Sequence, residues 1–208
     1  MRLIVLTNII AIILILAGCQ SQNSNSNPAQ NEEKMHEEHL KLADNLAHQG
    51  IAVLKNKADA SREFNQQIET FFSSYLRLEN ALVNSDSVAA NNAAEEMRFL
   101  LEMIPDPSTD SVAITTWLNH QSGYYKNLTE FLHTKELEMK RSYFSHITEF
   151  LYCTFKSFNI DGLDVHVAYC PMAFEEKGAY WLTDSHKIRN PYFGAKMLDC
   201  GSITEMIP

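Results

Sequence analysis

The sequence predicts a mainly α-helical protein: an antiparallel up-down four-helix bundle followed by a small C-terminal antiparallel β-sheet that carries a cysteine and methionine motif. Three observations predict it. Apolar residues recur at helical spacing through four stretches between positions 61 and 158. The breaks between these stretches are short and built of capping or helix-ending residues, which places consecutive helices antiparallel. Beyond position 159 the apolar period changes from that of a helix to two, the mark of strands.

A leading helix is expected over 32–60, with Met35, Leu42, Leu46, Val53 and Leu54 at irregular helical spacing and Gly50 interrupting its second half. The bundle then opens at Ser61, a plausible cap, and its first helix presents Phe64, Ile68, Phe71, Phe72, Tyr75, Leu78 and Leu82 as one stripe. Asn84, Ser85 and Asp86 supply a stop and a new cap. The second helix carries Ala89, Ala93, Met97, Leu100, Leu101 and Ile104, and must end before Pro105 and Pro107, which lack the amide donor. A third helix runs from about Ser111 to His133 through Ile114, Trp117, Leu118, Tyr124, Leu128, Phe131 and Leu132. The fourth follows Thr134 and turns Leu137, Phe144, Ile147, Leu151, Phe155 and Phe158 inward, completing an aromatic-rich core. In the region 159–208, Val165, Val167 and Tyr169 alternate with His166, Ala168 and Cys170, and Ala179 to Leu182 and Ile203 to Ile207 are two further strands. This sheet is expected to cap one end of the bundle, with loops at Cys170 to Gly178 and Thr183 to Cys200.

Charge and composition narrow the partners. The chain has 208 residues, 45% apolar and 21% charged, and 17 Lys plus Arg against 26 Asp plus Glu give a net charge of −9. An acidic surface repels phosphate backbones and anionic lipid, so neither nucleic-acid binding nor polybasic membrane docking is expected. At the N-terminus, Arg2 precedes an apolar run from Leu3 to Leu16 that ends in Leu16-Ala17-Gly18-Cys19. The run is shorter than the ~20 residues of a spanning helix, and it looks like a bacterial lipoprotein signal peptide. That likeness predicts a signal peptide over 1–18 and a lipid anchor on Cys19, the membrane being reached through the lipid alone. Residues 19–31, rich in Ser, Asn and Gln, read as a flexible tether. Gln20 after the cysteine, in place of Asp, favours the outer over the inner membrane of the periplasm, by resemblance to the enterobacterial sorting rule.

The loops of the last fifty residues gather sulfur. Cys170-Pro171-Met172 follows the first strand and Met197-Leu198-Asp199-Cys200 precedes the last. If the outer strands are near neighbours, two thiols and two thioethers meet at one edge, a donor set that selects soft ions such as Cu(I) over Mg²⁺ or Ca²⁺. His166 shares the face of Cys170, but four strand residues span about 13 Å, too far to serve the same ion. In an oxidising compartment Cys170 and Cys200 can instead form a structural disulfide, with Met172 and Met197 as filler. Cys153 lies in an apolar stretch of the fourth helix and reads as inert packing; Tyr180 and Trp181 read as core, and His36 and His39 as a solvated helix face. No Gly-rich phosphate loop, H-E-x-x-H, G-x-S-x-G or C-x-x-C occurs in the sequence, so a non-enzymatic role is expected.

Several segments resemble a known family. Tyr169-Cys170-Pro171-Met172-Ala173, Gly178-Ala179-Tyr180-Trp181-Leu182, Ile188-Arg189-Asn190-Pro191-Tyr192-Phe193-Gly194 and Met197-Leu198-Asp199-Cys200-Gly201 resemble the C-terminal signature of the domain of unknown function numbered 3347. Upstream, the stretch from Tyr75 to Val83, and Arg141 with Phe144, resemble its helical part. That domain occurs as stand-alone periplasmic lipoproteins and fused to periplasmic adaptor subunits of copper and silver efflux systems. The resemblance implies a helical domain ending in a soft-metal motif, with Cys170, Met172, Met197 and Cys200 as candidate ligands. It brings no established activity, and it leaves Glu32 to Ala60 outside. Two expectations of function follow. One is a lipid-anchored periplasmic protein that holds Cu(I), with Zn or Ag as other candidate ions, as a buffer or relay toward an efflux adaptor. The other is a non-enzymatic interaction module stapled by a Cys170 to Cys200 disulfide.

Overall fold

The computed structural model describes residues 42–43, 46–47 and 49–207. The expected signal peptide, Cys19, the tether over 19–31 and the His36/His39 pair lie outside the described residues. Four long helices make up most of the fold: α1 (Arg62–Val83), α2 (Ser87–Leu101), α3 (Ser111–His133) and α4 (Leu137–Ser157). Each of the first three starts where a short polar side chain takes over orphan amides. Ser61 Oγ accepts from the Phe64 amide at 3.1 Å, and Asp86 and Asp110 each accept from two amides of the first turn. Consecutive helices pack on one another along their lengths.

The stripe expected of α1 is buried at all seven positions, and it holds the fold together because its aromatics reach two other helices. Phe64 meets Trp117 of α3 edge-on at 5.1 Å and Phe71 meets Tyr124 of α3 at 5.0 Å. Phe72 meets Phe155 and Tyr75 stacks on Phe144, both of α4, at 5.3 and 5.1 Å. Several polar groups inside this core are paired. Tyr75 Oη and Thr148 Oγ1 lie 2.7 Å apart, Tyr124 Oη and Thr154 Oγ1 2.8 Å apart, and the buried Lys140 ammonium donates to Asn91 Oδ1 and the Phe131 carbonyl. Leu118, expected inward, is half exposed. Its neighbour Trp117 occupies the inward line of α3 with Ala113, His120, Tyr124 and Phe131, and one residue along a helix turns the side chain about 100° away.

Within its described residues, the leading segment departs from the expectation of a helix over 32–60. Leu42, Ala43, Leu46 and Ala47 are helical, but the chain turns at Gln49–Gly50, where Gly50 takes φ +91°, and runs on without regular structure to strand β1 (Ala58–Asp59). Its backbone is held by tertiary contacts instead. The Ala52 amide donates to Asn119 Oδ1, the Leu54 amide donates to Ser157 Oγ, and β1 pairs in parallel with β2 (Phe158–Asn159). Leu46 and Ile51 are buried in the core, so this segment is docked.

The C-terminal sheet has the order β4-β3-β5, antiparallel throughout, with β3 (Val165–Cys170) central between β4 (Ala179–Thr183) and β5 (Ser202–Ile207). It lies along the flank of α1 and α4, not on an end of the helices as expected from sequence. Glu205 on β5 accepts from Tyr152 Oη at 3.0 Å and from Lys156 Nζ at 2.8 Å, while Arg141, at the other end of α4, donates to the Pro191 carbonyl at 2.9 Å. Between them the Leu182 amide donates to Tyr75 Oη at 3.0 Å.

Candidate functional site

Cys170 is the last residue of β3, and Cys200 stands two residues before β5 begins at Ser202. Because Tyr169 pairs with Ser202 in the β3–β5 ladder, the two cysteines face each other across the end of that ladder. Their sulfurs lie 3.0 Å apart and are not bonded. Cys170 is fully buried and Cys200 partly so. The Cys170 thiol, together with desolvation, pushes the Cys200 thiol up to about 11, so at neutral pH Cys200 keeps its proton. An ion that takes both sulfurs must displace that proton.

Three features mount this pair. Gly201 takes φ +134°, and a Cβ there would stand 2.7 Å from Trp181 Cη2 and 2.9 Å from the Tyr169 carbonyl, so only glycine lets the chain pass under the Trp181 ring beside Cys200. Asn190, fully buried, donates from Nδ2 to the Cys200 carbonyl at 2.6 Å, and its Oδ1 accepts from the amides of Tyr192 and Phe193. Arg141 fastens the same loop, donating to the Pro191 carbonyl and, with its other nitrogens, to Leu82 O, Ser85 Oγ and Glu138 Oε1. Asn190 carried no role in the reading of the sequence beyond the family resemblance. The signal that identifies it is Asn-Pro, a side chain suited to an Asx turn before a residue with a fixed φ.

The structure brings the two thiols together and leaves the two thioethers at the rim. Met172 is 44% exposed and Met197 38% exposed. The Cys200 amide donates to the Met197 carbonyl at 3.1 Å, which closes a turn over 197–200. After Met172 the chain enters a left-handed turn, with Phe174, Glu175 and Glu176 at φ of 52°, 59° and 66°. Cys153 is buried and its thiol is pushed far up by desolvation, in keeping with packing. Among the described residues no group of three or more His, Cys, Asp and Glu side chains is placed to hold a metal ion, so an ion at this edge would rest on the two thiols and on thioethers. Nor is any helix among them long and apolar enough to cross a membrane.

The helices below this edge carry a family match. Residues 71–162, from the middle of α1 to the turn before β3, match the model of a family described as protein of unknown function (DUF3347). This stretch is a DUF3347 domain. The match covers the helical part and ends short of β3, so the sulfur-bearing edge is built on the DUF3347 helices by residues beyond the matched stretch. No curated protein and no solved structure matches the chain.

Proposed function

We propose that this protein is a periplasmic lipoprotein that binds a soft metal ion, Cu(I) above all and Zn or Ag as alternatives, as a buffer or relay for heavy-metal efflux. The observation that carries this reading is the 3.0 Å approach of the Cys170 and Cys200 sulfurs at the end of the β3–β5 ladder. Met172 and Met197 on the adjoining turns complete a soft donor set. Cys170 and Cys200 would supply anionic charge once deprotonated, and the methionines neutral, polarisable contacts. In this reading the helices form an up-down antiparallel bundle that serves as scaffold, supported by the short connections between consecutive packed helices. Cys19 carries the lipid, and the partner is a periplasmic adaptor of a metal efflux system. No catalytic constellation is invoked.

One observation favours a second reading, a disulfide-stapled interaction module. At about 2.3 Å per metal–sulfur bond, two thiolates of a tetrahedral site stand roughly 3.7 Å apart, farther than the 3.0 Å seen here. A copper titration of the reduced protein against a competing chelator, with free thiols counted in the same anaerobic sample, separates the two readings. Loss of two reactive thiols on loading supports metal binding. A stable Cys170 to Cys200 bond, indifferent to copper, supports the staple and overturns the first reading.

A further inference from the structure

The opposite end of β3 carries a different unexplained group. His166 is 3% exposed, and neither Nδ1 nor Nε2 has a hydrogen-bond partner among the described residues. An imidazole always presents two polar nitrogens, and burying them unpaired forfeits their hydration with nothing in return. The other buried histidine among the described residues shows how this fold treats a structural imidazole. His120 Nδ1 lies 3.0 Å from Thr154 Oγ1 and Nε2 meets the Ala52 carbonyl, so both nitrogens are satisfied.

Two neighbours of His166 have the chemistry to complete a site. In the ladders His166 stands opposite Met206 of β5 on one side and Thr183 of β4 on the other, so the Met206 side chain leaves the same face of the sheet about 5 Å away. Three residues after Thr183, the exposed His186 folds back until its ring centroid is 4.2 Å from that of His166, at 72°. Met206, 65% exposed, and His166 line one concavity together with Leu163 and Asp164. Two of the three groups are fixed by strand register, and the third sits on the loop that follows β4.

We infer that His166, His186 and Met206 form a second soft-metal site, specific for a monovalent ion of the Cu(I) or Ag(I) class and separate from the Cys170/Cys200 edge. Imidazole suits copper, and a thioether selects its monovalent soft state over the harder divalent ions. The three ligands are neutral when they coordinate, which also suits a single charge. The ion takes the lone pair of one unpartnered His166 nitrogen, while the other ring nitrogen keeps its proton. The strand distance of about 13 Å between positions 166 and 170 keeps it apart from the thiols. This site does not depend on metal binding at the cysteines.

The test uses the full chain, solubilised in detergent and reduced, with Cys170→Ser and Cys200→Ser both present so that the thiol edge is silent. Ag(I) is added as a diamagnetic probe. The methionine methyl and histidine ring signals are followed by NMR, Met206 being assigned from its loss in Met206→Leu. The expected result is that the Met206 methyl and the His166 and His186 ring nitrogens shift together and saturate at one equivalent. His186→Ala, a change at an exposed position, and Met206→Leu should each weaken the binding at least tenfold. Signals of Met206 and His166 that stay put under excess Ag(I) overturn the site, and so does binding that survives both substitutions unchanged.

Discussion

Asn190 holds the backbone of Cys200: its Nδ2 donates to the Cys200 carbonyl at 2.6 Å while its Oδ1 gathers the amides of Tyr192 and Phe193. One fully buried side chain therefore sets both the turn of the loop and the position of a thiol. Asn190→Ala leaves a buried carbonyl and two amides without a partner, and the cost of such a loss is about 1–3 kcal/mol per stranded group. The variant should unfold at clearly lower urea concentration. Its Cys170/Cys200 pair should also equilibrate with glutathione as a weaker pair. Unchanged values in both measurements would show that the loop is held by Arg141 alone.

The aromatic core makes a separate prediction. Phe71, Trp117 and Phe144 are each at most 1% exposed and each packs against an aromatic ring of another helix. Truncation to Ala should cost about 3–5 kcal/mol at each position. Losses below about 1 kcal/mol at all three, measured by denaturant unfolding, would contradict the packing.

His120 gives the fold a sensitivity to acid. Desolvation lowers its pKa from 6.5 to about 4, so the folded protein holds it neutral where the unfolded chain binds a proton. The stability it confers is complete above about pH 6.5 and declines as pH falls toward 4, by up to ~1.4 kcal/mol per pH unit. His120→Gln should flatten that part of the stability curve. An equally steep acid limb in the variant would assign the effect to other groups.

Glu79 works in the opposite sense. It is buried near the end of α1 against the Thr183 and Trp181 side chains, and desolvation, reinforced by Asp184, raises its pKa to about 8. Stability linked to its proton is present below about pH 4.5 and is lost as pH rises through 8. Glu79→Gln keeps the shape without the charge, so its unfolding midpoint should gain on the parent progressively across that range. A constant difference between pH 5 and pH 8 would rule this out.

The sulfur edge predicts a ranking. Losing an anionic sulfur removes more attraction than losing a neutral thioether, so Cys170→Ser and Cys200→Ser should each weaken Cu(I) binding more than Met172→Leu or Met197→Leu. Because the Cys200 thiol holds its proton up to about 11, binding should release protons and weaken as pH falls. Chelator competition with reduced protein under anaerobic conditions measures both effects. Cu(I) affinity unchanged in the Cys170→Ser, Cys200→Ser double variant would leave the disulfide-stapled module as the surviving reading.

Local chemistry determined most of the secondary structure from the sequence alone. Ser61, Asp86 and Pro105 mark helix boundaries because capping and the missing proline donor act within a few residues. The alternation through Val165 to Cys170 marks a strand because the side-chain period of an extended chain is local too. Contacts distant in sequence decided the rest. The segment after Gly50 has apolar residues that suit a helix, yet Asn119, Ser157 and the β2 strand take its backbone groups and keep it out of a helix. Leu118 fits an apolar pattern, but α3 has one inward line and Trp117 fills it. The meeting of Cys170 with Cys200 depends on the β3–β5 register and on the space that Gly201 leaves under Trp181. The nearness of His186 to His166 depends on how the chain turns after β4. Spacing along the sequence carries neither relation, because the free energy that selects each comes from packing between segments that are far apart in the chain.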